Sequence, residues 1–435
     1  MRTRLIQASA ALYEHLGAEF RPRRYLLAAL ASSPAVESLE TLANLLTTDP
    51  PPEALDASVA MAPLFQLPEI DASALFPALL DALSHLQVAP AVLDLANYLT
   101  RSGRVAAHPA TDETQRLTAL LTGICRRLRD LEQPDGHAEV PIAKSQRQVS
   151  DSVAIACSLC DALGLIGRAE VKPALHDALR LRHRRIRVEA AAALARMGDD
   201  EGVAALAELV AHPIARLRVV AYAEELGLID HLDEQWQTPA AMAEAELATH
   251  LALPNNLGAA PTEIELLDQQ TLAWPSYDEP QECFQFRFVY RLGDAEYENV
   301  AMAGPFVHAF QVDLLPLSID DRYALFAGFQ AEHSDIHEVP AAAFNEAHQV
   351  IVRKIIDRVA GEGIEVAQAV SLGVFFGEII LIGTARKDDL PGAIAAGMDD
   401  AVWFPHDGSS PRPLGPDEAW AAWKGRRLLQ AFNNK

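Results

Sequence analysis

Val188-Glu189-Ala190-Ala191-Ala192-Ala193-Leu194-Ala195-Arg196-Met197-Gly198-Asp199-Asp200 is followed, after Glu201-Gly202, by Val203-Ala204-Ala205-Leu206-Ala207-Glu208-Leu209-Val210. The alanines make a strong helix with a small-residue face. Gly198 stands where a helix closes in the left-handed cap conformation. A second helix follows, apolar at intervals of three and four. The same order appears on both sides of this stretch. Ile155 to Leu163 leads into Gly164 and Gly167, and Val219 to Leu226 leads into Gly227. Val171 to Leu179 matches Val203 to Val210. Leu175 and Leu206 are 31 residues apart, as are Leu179 and Val210, and Arg187 and Arg218. Two helices of about 12 residues and two short turns account for such a period.

This pattern resembles the HEAT-repeat family, in its short phycobilisome-lyase-like form. The features that carry the resemblance are the apolar helix face, the Gly198-Asp199-Asp200 turn and the recurring Arg187 and Arg218, and they cover roughly Val149 to Asp230. The resemblance implies a ladder between repeats, made by the turn Asp and the helix-start Arg. It implies little about chemistry, apart from the bilin-lyase activity of some short-HEAT proteins. Further apolar helices are expected at Ala35–Leu46, Glu53–Phe65, Ser73–Leu83, Ala89–Thr100 and Arg116–Leu128. Residues 1–250 therefore read as one right-curving HEAT-like α-solenoid. The polar run from Glu132 to His137 reads as a loop within it.

From Leu253 the pattern changes. Residues 251–262 read as a turn-rich linker and 263–435 as an α+β domain. Phe284, Phe286 and Phe288 alternate with Gln285 and Arg287, as strand residues do. Strands are also expected at Glu263–Trp274, Tyr297–Met302 and Ala393–Phe404. Helices are expected at Asp320–Ile336, Phe344–Ala360 and Asp417–Phe432. The fold class is mainly α: an N-terminal α-α solenoid followed by a C-terminal α+β domain.

The 435 residues hold 60 acidic and 36 basic side chains, a net charge of −24. That balance argues against general nucleic-acid binding and against attachment to an anionic membrane. Four cysteines fit a reducing compartment, and no signal-peptide core follows Met1, so the expected location is cytoplasmic. Val366 to Ala385 has the length of a membrane span, but Gly373, Gly377 and Glu378 interrupt it. Two buried strands are the favoured reading, and no membrane span is expected.

Arg180, Arg182, Arg184 and Arg185, with Arg187, form the one strongly basic run. The functional reading is a docking ridge for an acidic protein surface or phosphate-rich ligand; the competing reading is a solvated face. His333 and His337 would share a face if helical, a spacing used by metal sites, with His308 or Asp313 as further ligands. Cys157 and Cys160 read as small buried residues. Trp420 and Trp423 read as a helix face docked on its own domain. No catalytic residue or cofactor motif is identified. The favoured function is a non-enzymatic interaction or scaffold protein whose partner is another protein. The alternative is a lyase- or hydrolase-type enzyme, metal-dependent or not, with its site around His308, His333 and His337.

Overall fold

The computed structural model describes residues 2–132 and 142–433. The polar run expected as a loop falls, at 133–137, outside the described residues. The chain forms two compact units, Met1–Trp236 and Gln237–Lys435.

The first unit is helical. Its helices are α1 (Arg2–Leu16), α2 (Arg24–Ala31), α3 (Val36–Thr48), α4 (Ala54–Gln66), α5 (Ala72–Leu75), α6 (Ala78–Asp81) and α7 (Ala89–Arg101). They continue with α8 (Thr114–Glu132), α9 (Ile142–Ile166), α10 (Lys172–Leu179), α11 (Arg184–Arg196), α12 (Asp200–Leu209) and α13 (Pro213–Leu226). α2, α4, α7, α9, α11 and α13 pack side by side in one row, and α1, α3, α8, α10 and α12 cover them from the other side. This is the two-layered α-solenoid that the repeat spacing predicts. The expected helix at Ser73–Leu83 is broken into α5 and α6, because Pro77 cannot continue a helix and disfavours a helical residue before it.

Small residues let the rows close up. A Cβ on Gly164 would lie 2.7 Å from Ala193, and one on Gly202 would lie 2.5 Å from the Ala195 nitrogen. Gly227 ends α13 at φ 67°, the left-handed cap read from the sequence. The expected ladder takes a different form. Asp199 caps α12 by accepting from the Glu201 N–H, and it also meets Lys172 at 3.0 Å. Arg187 pairs with Glu208 and Arg218 with Glu189. The repeated arginines thus bond glutamates on helices, not the turn aspartate.

The second unit begins with α14 (Pro239–Leu251), ahead of the boundary at 250 expected from the sequence. α14 packs Ala243, Leu247 and Leu251 onto the phenylalanine face of a sheet. That sheet is an antiparallel meander of β1 (Glu263–Leu272), β2 (Gln281–Leu292), β3 (Ala295–Ala303) and β4 (His308–Ala309), followed by α15 (Ile319–Gln330). After β5 (Ile336–Pro340) comes α16 (Glu346–Ala360). A second meander follows: β6 (Ile364–Phe375), β7 (Glu378–Lys387), β8 (Leu390–Ala396) and β9 (Ala401–Pro405), then α17 (Pro416–Asn433). β5 pairs with β6 at the sheet edge. The apolar run weighed as a membrane span is the β6–β7 hairpin.

The unit thus runs twice through one order: helix, four-stranded meander, helix. Pro316-Leu317-Ser318-Ile319-Asp320-Asp321-Arg322-Tyr323-Ala324-Leu325-Phe326-Ala327-Gly328 recurs as Pro413-Leu414-Gly415-Pro416-Asp417-Glu418-Ala419-Trp420-Ala421-Ala422-Trp423-Lys424-Gly425. α15 and α17 cross between the two sheets, where Tyr323, Phe326, Trp420 and Trp423 are buried in the central core. The backbones approach so closely that a Cβ on Gly425 would fall 1.6 Å from the Ala324 carbonyl oxygen. One on Gly328 would fall 1.8 Å from that of Ala421. Glycine is required at both sites by proximity.

Candidate functional site

The arginine run spans the turn from α10 into α11, and helical geometry fans it out. Successive helical residues point about 100° apart, so Arg184 and Arg185 cannot share one face. Arg185 acts electrostatically on Asp94 of α7, along the inner row, while Arg184 acts on His212 before α13. Arg180, Arg182 and Arg187 instead line a groove of about 500 Å3 with Leu179, Leu181, Ala204 and Ala205; Glu201 and Glu208 complete its lining. Arg187 is tied to Glu208 at 3.0 Å. Arg180 is well exposed and reaches Asp177 only at 3.9 Å. An exposed pair at that distance contributes little. The structure therefore brings Arg180 and Arg182 together over an apolar floor, and takes Arg184 and Arg185 elsewhere.

A second cluster, missed in the sequence, lies along the inner row. Arg101 of α7 bonds Asp161 of α9 and reaches Glu225 of α13 at 3.2 Å. Arg196 of α11 meets the same Glu225 at 2.7 Å. The two ends of a four-helix row thus meet through side chains, so this stretch of the row is tightly curved. Glu189, buried on α11, accepts from Arg218 Nε at 3.1 Å and from the Tyr222 hydroxyl. Burial opposes the charge on Arg101, but Asp161 first, and Tyr222 and Glu225 after it, outweigh it and hold the guanidinium firmly protonated. Surrounding protein raises the Asp94 carboxyl above its ordinary value although the side chain faces solvent, as on a concave surface. Four arginines (101, 185, 196, 218) face four carboxylates (94, 161, 189, 225). The cluster is internally neutralised and serves as a brace.

A neutral chain reinforces it. The Ala110 N–H donates to His108 Nδ1 at 3.1 Å, and His108 Nε2 meets Asn97 Oδ1 at 2.9 Å. The Asn97 amide donates to the Ser158 carbonyl on α9 at 3.2 Å. Nδ1 must accept, so the ring is neutral, and burial lowers its pKa to about 4.

The histidines weighed as metal ligands do not assemble. α15 stops at Gln330 and His337 lies on β5, so the helical spacing on which the metal reading depends is not formed. His333 and His337 are both exposed, and His333 packs against Phe376. His308 lies on the other sheet, stacked on Phe329 with centroids 4.3 Å apart. Asp313 is held by Arg412 and Ser410. Among the described residues no three His, Cys, Asp or Glu side chains group to hold a metal ion. Cys157 and Cys160 are buried free thiols, and burial pushes Cys157 up to about 12. Trp420 and Trp423 are buried in their own unit.

Residues 144–227 match the family of HEAT repeats, so this part of the chain is a HEAT-repeat array. The match does not extend to the phycobilisome-lyase-like form. No curated protein and no solved structure matches the chain. Among the described residues, one helical segment, Val149–Ile166, is long and apolar enough to cross a membrane, and 67% of it is buried inside the fold. A core helix passes the same test, and the center of the inner row is where α9 runs.

Proposed function

We propose that the helical unit is a protein-docking module, and that its partner presents an acidic, partly apolar segment to the α10–α11–α12 groove. One observation carries this reading: exposed Arg180 and Arg182 stand over Leu179, Leu181, Ala204 and Ala205 in a single groove. Charge complementarity selects an acidic segment, and exposed Ala204 with the aliphatic stems of the arginines supplies apolar contact above the buried Leu179, Leu181 and Ala205. The chain's net charge of −24 restricts such a partner to this local patch. HEAT-type arrays offer extended surfaces suited to this use. The reading includes a non-enzymatic scaffold role and a reducing, cytoplasmic setting, supported by four buried free thiols.

The test is fluorescence anisotropy with a dye-labelled peptide alternating Glu and Leu, against a Lys-Leu counterpart. The wild-type chain should bind the acidic peptide, more weakly as salt rises. Arg180→Glu/Arg182→Glu should abolish binding while Arg185→Glu leaves it intact. Equal binding by the double variant, or preference for the basic peptide, contradicts the proposal.

A further inference from the structure

One of the differences between the two halves of the second unit lies beneath the covering helices. In sheet register, Ala301 pairs with Ala309 where the second half pairs Ile394 with Trp403. Both pairs lie on the sheet face covered by a helix, α14 in one half and α16 in the other. Leu247 and Leu251 of α14 cover the first sheet, and Ile355 and Val359 of α16 cover the second. Arg358 closes its half: Nε donates to the Gly397 carbonyl at 2.9 Å and Nη2 to that of Asp400 at 2.8 Å. The first half has the two alanines at that sheet pair, and α14 carries no arginine. The first half holds a cavity of about 450 Å3, lined by His250, Phe288, Tyr297, Phe310, Gln311 and Arg412, with Ala309 at its wall.

The chemistry of the lining is specific. Phe288, Phe310 and Tyr297 line the cavity with Leu251 and Leu257; Phe288 and Phe310 are buried, and Tyr297 is half-buried beneath Arg412. Arg412 is fixed in place, its guanidinium 4.2 Å from the Tyr297 ring centroid and bonded to Asp313, which Ser410 holds in turn. Asn255, Asn256 and Gln311 add neutral hydrogen-bonding groups. The volume falls within the range of small-molecule sites, which are mostly apolar with a few placed polar groups. We propose that this pocket binds a small planar aromatic carboxylate, its ring against the aromatic walls and its carboxylate on Arg412. Arginine suits a carboxylate by its planar fork and keeps its charge when partly buried.

The probe is 2-naphthoate, followed by its fluorescence on titration with the full chain. 2-Naphthylmethylamine and cyclohexanecarboxylate serve as charge and ring controls. The expected result is saturable naphthoate binding, at least about tenfold tighter than either control. Arg412→Gln should weaken naphthoate about tenfold and should not weaken the amine, because Asp313 then loses its cationic partner. Ala309→Leu, which narrows the cavity, should weaken both aromatic probes while the circular dichroism spectrum is retained. Absence of saturable binding, or equal binding by the Arg412→Gln variant, overturns the proposal whatever the fate of Ala309→Leu.

Discussion

Replacing Glu189 by alanine tests the brace along the inner row. The Glu189 side chain is 5% exposed and accepts from Arg218 and from the buried Tyr222 hydroxyl. Removing it leaves the hydroxyl without its acceptor, a cost of about 1–3 kcal/mol. Arg218 is 55% exposed, so water recovers most of its loss and it adds only about 0.5 kcal/mol. Lost packing of the side-chain methylenes adds about 1 kcal/mol. The expected destabilization is roughly 3 kcal/mol, against about 1 for Glu189→Gln, which keeps an acceptor. Because the chain has two units, the assay is hydrogen exchange read on peptides from α11 and α13, which reports local opening. Tyr222→Phe should cost at least about 1 kcal/mol less in the Glu189→Ala background than in the wild type. An effect of Glu189→Ala below about 0.5 kcal/mol, or strict additivity with Tyr222→Phe, would refute the reasoning.

Further outcomes follow from the same geometry. His108 has a folded pKa of about 4 through burial, below the unfolded value of about 6.5. The unfolded chain therefore binds the proton first; its stabilization is complete above pH 6.5 and declines by about 3 kcal/mol as pH falls to 4. His108→Gln should flatten that window in pH-dependent hydrogen exchange of α7; an unchanged slope counts against it. Gly425→Ala should cost at least about 3 kcal/mol, because its Cβ would meet the Ala324 backbone. Gly123→Ala on α8, where nothing lies within 4 Å, should instead stabilise by up to about 1 kcal/mol. Thermal melts of both variants decide this, and similar shifts would contradict it. Asn345 accepts from the His348 N–H at the start of α16, so Asn345→Ala should lose about 1 kcal/mol, read by exchange in α16.

The helical array was legible because small-residue helices, each followed by a glycine, recur about every 30 residues from Ile155 to Gly227. Its inner brace was not, because Arg101 and Glu225 are brought together only by curvature of the row. The arginine run looked like one patch because sequence adjacency hides the 100° turn between Arg184 and Arg185. In the second unit the strands and helices were readable from alternation and capping. α15 was expected to reach Ile336 because residues 331–335 contain neither glycine nor proline; pairing of β5 with β6 takes that segment into the sheet instead. The internal repetition is faint in the sequence because only the Pro316–Gly328 and Pro413–Gly425 segments keep a common pattern. Elsewhere Ala301 and Ala309 stand where the second half has Ile394 and Trp403, and Ala309 lies at the pocket wall.

The docking account is tested most directly by hydrogen exchange of the full chain with and without the acidic peptide. The account predicts added protection in segments 179–187 and 200–208 alone, and none in the Arg180→Glu/Arg182→Glu variant. Protection spread along α7 and α13, or no change in those two segments, would contradict it.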